Sequence, residues 1–148
     1  MFIGKIDQRV DAKGRLSIPS RFREILNSKF SGKLVLTTHN KSYISSYPIE
    51  EWLIYQEKIS SLTNRRKEDL DFMRIVFSRA RESSLDNQGR ILIPPTLREY
   101  VGIQKEVASV GFNNKIEIWD RATFEEYEQR TSEEIGDIPD RLAEIGFT

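Results

Sequence analysis

The chain has 148 residues, with 23 Lys/Arg against 23 Asp/Glu, 38% hydrophobic residues and no Cys. That length holds one domain or two small intertwined halves, and the absence of cysteine excludes a disulfide frame, a thiol nucleophile and a cysteine zinc site. No apolar run approaches the roughly 20 residues of a membrane span, and Met1-Phe2-Ile3-Gly4 lacks the charged-then-apolar layout of a signal peptide, so a cytoplasmic protein is expected.

Phe2–Val10 has the mixed, β-branched character of a short strand, and Arg15–Ile18 follows it across a turn, with Leu16 and Ile18 alternating inward. Pro19 ends that strand, since proline cannot donate to a ladder, and Ser20 is placed to cap a helix over Arg21–Leu26. Thr37–Tyr47 is unusually polar for a region expected to carry two strands. Pro48–Leu62 and Arg65–Phe77 read as consecutive helices, with Trp52, Tyr55, Ile59 and Leu62 on one face and Leu70, Met73 and Phe77 on the other helix's stripe. Ser78–Leu85 and Arg90–Ile93 are the next strands. The latter is apolar on both faces and so is expected to be the more central of the pair. Pro95-Thr96 opens a helix over Leu97–Val101 that Gly102 stops, Lys115–Asp120 alternates as a strand, and Thr123 to about Arg130 is a helix. Residues 131–148 are acidic and interrupted by Gly and Pro. Their Ile135, Ile138, Leu142, Ile145 and Phe147 suit either a mobile tail or a segment that docks on a neighbour.

These elements fall into two copies of one unit. Residues 11–24, DAKGRLSIPSRFRE, match residues 86–99, DNQGRILIPPTLRE, 75 positions on. The match extends back to Phe2 with Phe77 and forward, at an offset of 72–73, to Trp52 with Phe124 and Tyr55 with Tyr127. A fixed-period internal repeat sets the architecture. Each half alone is too small to bury an adequate core, so the halves are expected to share one. The predicted division is 1–62 for the first repeat, 63–77 for a linker helix, 78–130 for the second repeat and 131–148 for an acidic tail.

Net charge is zero but unevenly spread. Residues 1–33 have a balance of +5 and residues 117–148 a balance of −7, which suggests a polyanion-binding face and an acidic far side. The basic residues cluster around the repeated motif. Asp11 and Asp86 suit a turn in which the side chain accepts from backbone amides two residues on, and Gly14 and Gly89 suit its positive-φ position. Arg15 and Arg90 admit two readings: a carboxylate–guanidinium staple within the turn, or an outward guanidinium, oriented by Asp, that forks onto guanine or clamps phosphate. Lys13 adds a point charge for phosphate where the second copy has Gln88. Arg21, Arg23 and Arg98 read most simply as solvated helix residues, with phosphate contact as the lesser reading.

The paired DAKGRLSIP and DNQGRILIPPTLREY segments, with GFNNKIEIWD from Gly111 to Asp120, resemble the MraZ transcriptional regulators. The resemblance covers residues 1 to about 130. It implies an α+β fold: a duplicated, pseudo-twofold, double-split β-barrel of AbrB-like swapped hairpins with flanking helices. It also implies sequence-specific binding of double-stranded DNA through Asp11/Arg15 and Asp86/Arg90, ring-shaped homo-oligomers, and direct repeats upstream of the family's own operon of cell-division and cell-wall genes. A cytoplasmic, nucleoid-associated location goes with it.

No HExxH, GxSxG or P-loop is present, and the lone His39 lies in a polar loop. No enzyme, cofactor, metal or small-molecule substrate is therefore expected. The alternative from another class is an oligomeric protein-interaction scaffold. The antidote half of a toxin–antidote pair shares the hairpin unit but usually carries one copy, and this chain carries two.

Overall fold

The computed structural model describes residues 1–147. Its first half runs β1 (Lys5–Arg9), β2 (Arg15–Ser17), α1 (Ser20–Lys29), β3 (Lys33–Thr37), β4 (Tyr43–Pro48) and α2 (Ile49–Ser60). Helix α3 (Lys67–Arg79) leads to β5 (Arg81–Ser84), β6 (Arg90–Leu92), α4 (Pro95–Tyr100), β7 (Glu106–Phe112), β8 (Lys115–Asp120) and α5 (Arg121–Glu134), with α6 (Asp140–Glu144) last. The two halves thus present the same parts in the same order, as the repeat predicts.

The strands form a six-stranded sheet in the order β1-β7-β8-β4-β3-β5 and a two-stranded ribbon, β2-β6. Each half lends its first strand to the other: β1 pairs with β7, from Lys5↔Val110 to Arg9↔Glu106, and β5 pairs with β3, from Lys33↔Ser84 to Leu36↔Arg81. At the centre β4 pairs with β8, placing Ser45 opposite Glu117, and in the ribbon Leu16 lies opposite Ile91. A pseudo-twofold axis relates the halves through these two central pairs. The Asp-x-x-Gly signal therefore marks a turn whose flanking strands separate at once, each pairing across the duplication.

The exchange gives the halves one core. Leu16 and Ile91 from the ribbon, Phe22, Leu26 and Leu97 from α1 and α4, and Leu34, Leu36, Ile44, Ile116 and Ile118 from the sheet form one buried cluster. Removing each such side chain from water contributes about 1.5–3 kcal/mol, and the cluster draws on both halves. The opposite face of the sheet is covered separately. Val35 and Tyr47 pack with Trp52 and Val76 of α2 and α3, while Ala108 and Trp119 pack with Phe124 of α5.

This packing explains part of the polar Thr37–Tyr47 stretch, the Ser46 hydroxyl being buried without a partner. The Thr37 hydroxyl donates to the Val76 carbonyl at 2.6 Å, tying α3 to β3, and the Thr38 hydroxyl donates to the Tyr43 carbonyl at 2.6 Å, closing the loop between β3 and β4. Glu117, also buried, is paired with Lys115 at 3.0 Å and accepts from the Trp119 indole at 3.1 Å.

Several expectations need correction. Strand β6 is not buried on both faces: Ile91 is fully covered but Leu92 is 51% exposed, because nothing overlies the ribbon's outer side. Ser20 does not cap α1; Pro19 occupies that position without a side-chain bond, and Ser20 is the first helical residue. The strand expected from Ser78 begins at Arg81 because α3 continues to Arg79. Leu62 falls beyond α2 and is exposed, and so are Tyr100 of α4 and Tyr127 of α5, although the sequence places both toward the core. Tyr100 instead carries the Arg79 guanidinium over its ring at 3.8 Å. Helix α5 runs past Arg130 to Glu134 and α6 follows. The apolar residues from Ile135 to Phe147 are exposed on this chain.

Candidate nucleic-acid interface

The two repeated turns share one hydrogen-bond pattern. In the first, the Asp11 amide donates to the Arg15 carbonyl at 2.9 Å and the Gly14 amide donates to the Asp11 carbonyl at 3.0 Å. Asp11 Oδ1 accepts from the Lys13 and Arg15 amides, both at 2.9 Å, and Oδ2 accepts from Arg15 Nε at 2.8 Å. In the second, Asp86 Oδ1 accepts from the Gln88 and Arg90 amides at 2.8 and 2.9 Å, and Oδ2 from Arg90 Nε at 3.0 Å. Each carboxylate thus closes its turn and fixes a guanidinium with the same two oxygens. The amide of Arg15 leads the effects that hold the Asp11 carboxyl below its ordinary value, aided by the Arg15 side chain and the Lys13 amide. The Arg90 amide leads the corresponding set at Asp86. Gly14 and Gly89 adopt φ of +82° and +75°, the left-handed region that the turn requires.

The ribbon brings the two turns together. Ile18 N donates to the Gly89 carbonyl at 3.0 Å, and Ile93 N to the Gly14 carbonyl at 2.9 Å. Leu16 and Ile91 point into the core, so Arg15, Ser17, Arg90 and Leu92 form the outer face, with Arg15 beside Leu92 and Ser17 beside Arg90. Arg90 Nη1 lies 4.0 Å from Asp11 Oδ2, which places Asp11 between both arginines. Among the described residues, no matching contact within that distance joins Arg15 to Asp86. Each arginine spends Nε on its aspartate, and among the described residues its terminal NH2 groups have no hydrogen-bond partner. The staple and an available guanidinium are therefore compatible: Nε anchors each arginine, the terminal nitrogens of Arg15 stay free, and those of Arg90 make only the 4.0 Å ion pair with Asp11. Lys13 is exposed at the tip of its turn.

Arg23 and Arg98 depart from the expectation of solvated helix residues. The Arg23 side chain of α1 covers Gly89 of the opposite turn, and Arg98 of α4 covers Gly14. Both turn glycines are buried beneath these arginines. The Nε atoms of Arg23 and Arg98 are enclosed and unpartnered. A β-carbon at either glycine would collide with the guanidinium, so glycine serves close approach as well as backbone conformation. The recurrence of Arg23-Glu24 as Arg98-Glu99 was the available signal for this role. The reciprocal placement across halves was not readable without the strand exchange. Arg21 stays exposed on α1.

The acidic part of the charge asymmetry has a spatial counterpart, whereas Lys5 of the basic segment lies over the Phe124 ring of α5 at 5.3 Å. The ribbon packs against one face of the six-stranded sheet, and α5, with Glu125, Glu126, Glu128, Glu133 and Glu134, packs on the other. His39 is exposed, near the rings of Phe72 and Tyr43 at 5.3 and 6.0 Å. Among the described residues, no helix is long and apolar enough to cross a membrane.

The family described as "MraZ protein, putative antitoxin-like" matches the chain twice, at residues 1–75 and 76–144. A protein named "Transcriptional regulator MraZ" from Pediococcus pentosaceus is 40% identical over 147 residues, covering 99% of this chain and 100% of that protein. Two successive family matches follow the duplication seen in the strand exchange, and the chain belongs to the MraZ family.

Proposed function

We propose that this chain is a sequence-specific transcriptional regulator that grips duplex DNA with the outer face of the β2–β6 ribbon. The observation that carries the reading is the pair of matching Asp–Arg turns set side by side, their terminal guanidinium nitrogens unbonded apart from the 4.0 Å approach of Arg90 to Asp11. A two-stranded ribbon fits the B-DNA major groove, where an arginine fork matches the O6 and N7 acceptors of guanine. Arg15 and Arg90 read base edges, Asp11 and Asp86 hold them at the required angle, and Lys13 neutralises a phosphate. Fixing the guanidinium before binding reduces the entropy lost on contact. The acidic α5 on the far face keeps polyanion contact to the ribbon side.

The strand exchange supports a duplicated swapped-hairpin, double-split barrel, with repeats over 1–62 and 78–130 joined by a linker at 63–77 and followed by a tail at 131–148. One ribbon offers few contacts, so the regulator works as a ring-shaped homo-oligomer whose subunits each meet one direct repeat, converting weak local readout into avidity. By resemblance those repeats lie upstream of its own operon of cell-division and cell-wall genes, and the protein is nucleoid-associated in the cytoplasm. The exposed Ile135, Ile145 and Phe147 favour a second role for the tail, as a protein-interaction segment.

The test is a gel shift of the upstream fragment against a shuffled fragment, with mass photometry of the free protein. Retention of the native fragment by a multimer, abolished in Arg15→Ala and Arg90→Ala, is expected. A monomer that retains neither fragment at low ionic strength contradicts the proposal.

A further inference from the structure

The outer face of the ribbon is symmetric in backbone and asymmetric in chemistry. The pseudo-twofold axis exchanges Arg15 with Arg90, and Ser17 with Leu92. The supporting bonds obey the same exchange: the Gln8 side chain donates to the Ser17 carbonyl at 2.5 Å, and its counterpart Ser83 donates to the Leu92 carbonyl at 3.1 Å. The two positions therefore sit on equivalent backbone, one bearing a hydroxyl and the other an isobutyl group.

Leu92 is unlike the other leucines and isoleucines of the repeated motif. Leu16, Ile91 and Ile93 are fully buried and Ile18 nearly so, whereas Leu92 is 51% exposed next to Arg15. No layer of the fold covers it. The bases offer one apolar group on their major-groove edges, the 5-methyl of thymine, while a serine hydroxyl pairs with several donors and acceptors. We propose that Leu92 is a specificity-determining residue that packs on the methyl group of one thymine beside the guanine read by Arg15, so that each subunit recognises its repeat in a single orientation. This rests on the reading that the ribbon enters the major groove.

The register fixes where that thymine lies. Side chains directly opposite on an antiparallel pair are about 5 Å apart, and successive base pairs rise about 3.4 Å. The methyl therefore belongs within about two base pairs of the guanine that Arg15 contacts. The two arginines present the same fork to base edges, and Lys13 opposite Gln88 differs only toward phosphate; Leu92 against Ser17 is the difference that faces the bases.

The experiment replaces each thymine of the upstream fragment, one at a time, by deoxyuridine, which removes only the methyl group, and measures affinity by fluorescence anisotropy. For the parent protein one thymine per repeat is expected to be sensitive, with a loss of about fourfold, the effect of withdrawing one methyl-sized apolar contact. Leu92→Ser is expected to melt normally and to be insensitive at that position. Ser17→Leu is expected to gain a second sensitive thymine on the mirror side of the arginine pair. Parent protein that prefers the native fragment but tolerates every deoxyuridine overturns the Leu92 role and leaves the DNA-binding proposal standing. Leu92→Ser protein that keeps the parent's sensitivity also overturns the Leu92 role alone. Parent protein that does not distinguish the native fragment from shuffled DNA overturns both.

Discussion

Replacing Gly14 by alanine probes the reciprocal clamp between the halves. Gly14 has φ of +82°, and an alanine β-carbon there would stand 2.8 Å from Arg98 Nη2 and 2.9 Å from its Cζ. Holding a non-glycine residue in the left-handed region costs about 1–2 kcal/mol. Displacing the half-buried Arg98 from its seat on the turn adds about 1 kcal/mol in lost packing. For a chain of this size each kcal/mol lowers the melting temperature by about 3 °C, so a fall of about 6–9 °C is expected. The assay is thermal melting of Gly14→Ala, Arg98→Ala and the double variant at equal protein concentration. Without the Arg98 side chain the collision disappears and only backbone strain remains, so the alanine should cost about 1 kcal/mol less in that background. A Gly14→Ala melt that matches the parent, or an equal penalty in both backgrounds, would refute the clamp.

Other consequences follow from the same geometry. Arg15→Ala removes the fork and its partly exposed Nε bond to Asp11 without disturbing the core, so the melt should fall only slightly while operator binding weakens by about 1–3 kcal/mol, measured by anisotropy. Asp11→Ala removes the acceptor for three turn donors and should lower both the melting temperature and DNA affinity. The Asp11 and Asp86 carboxyls titrate below their ordinary 3.8 in the folded state, so their stabilisation is complete above that value and is lost as pH falls through the lower folded value. Urea unfolding between about pH 5 and 2 should therefore show a loss of stability that the Asp11→Asn/Asp86→Asn pair makes shallower. Ile91→Ala empties a fully buried site under the ribbon and should cost about 2–5 kcal/mol by the same urea assay.

Much of this molecule is legible in its sequence because local chemistry and tertiary structure agree. Asp11 and Gly14, with Asp86 and Gly89, mark turns by residue type alone, and Leu16 alternating with Arg15 and Ser17 tells which side of β2 faces the core. What was not legible depended on partners far along the chain. Nothing within Arg90–Ile93 states that β6 pairs only with β2, and that pairing leaves Leu92 exposed. Arg23 looks like a surface helix residue until strand exchange brings Gly89 beneath it. In the polar run at Thr37–Tyr47, the Thr37 and Ser45 hydroxyls find their partners in Val76 and Lys115, far along the chain, while the Ser46 hydroxyl is buried without one. Helix boundaries shifted by a few residues at Arg79, where no glycine or proline marks the stop, and at Glu134, where the helix runs on until Gly136 follows its cap.

In the proposed function Arg15 and Arg90 fork onto guanine in the major groove. Its most direct test substitutes 7-deazaguanine, which lacks the N7 acceptor, singly through the upstream repeats and measures affinity for the parent protein, Arg15→Ala and Arg90→Ala. The expected result is two sensitive guanines per repeat in the parent, one of them silenced in each variant. Parent binding that tolerates every such substitution contradicts it.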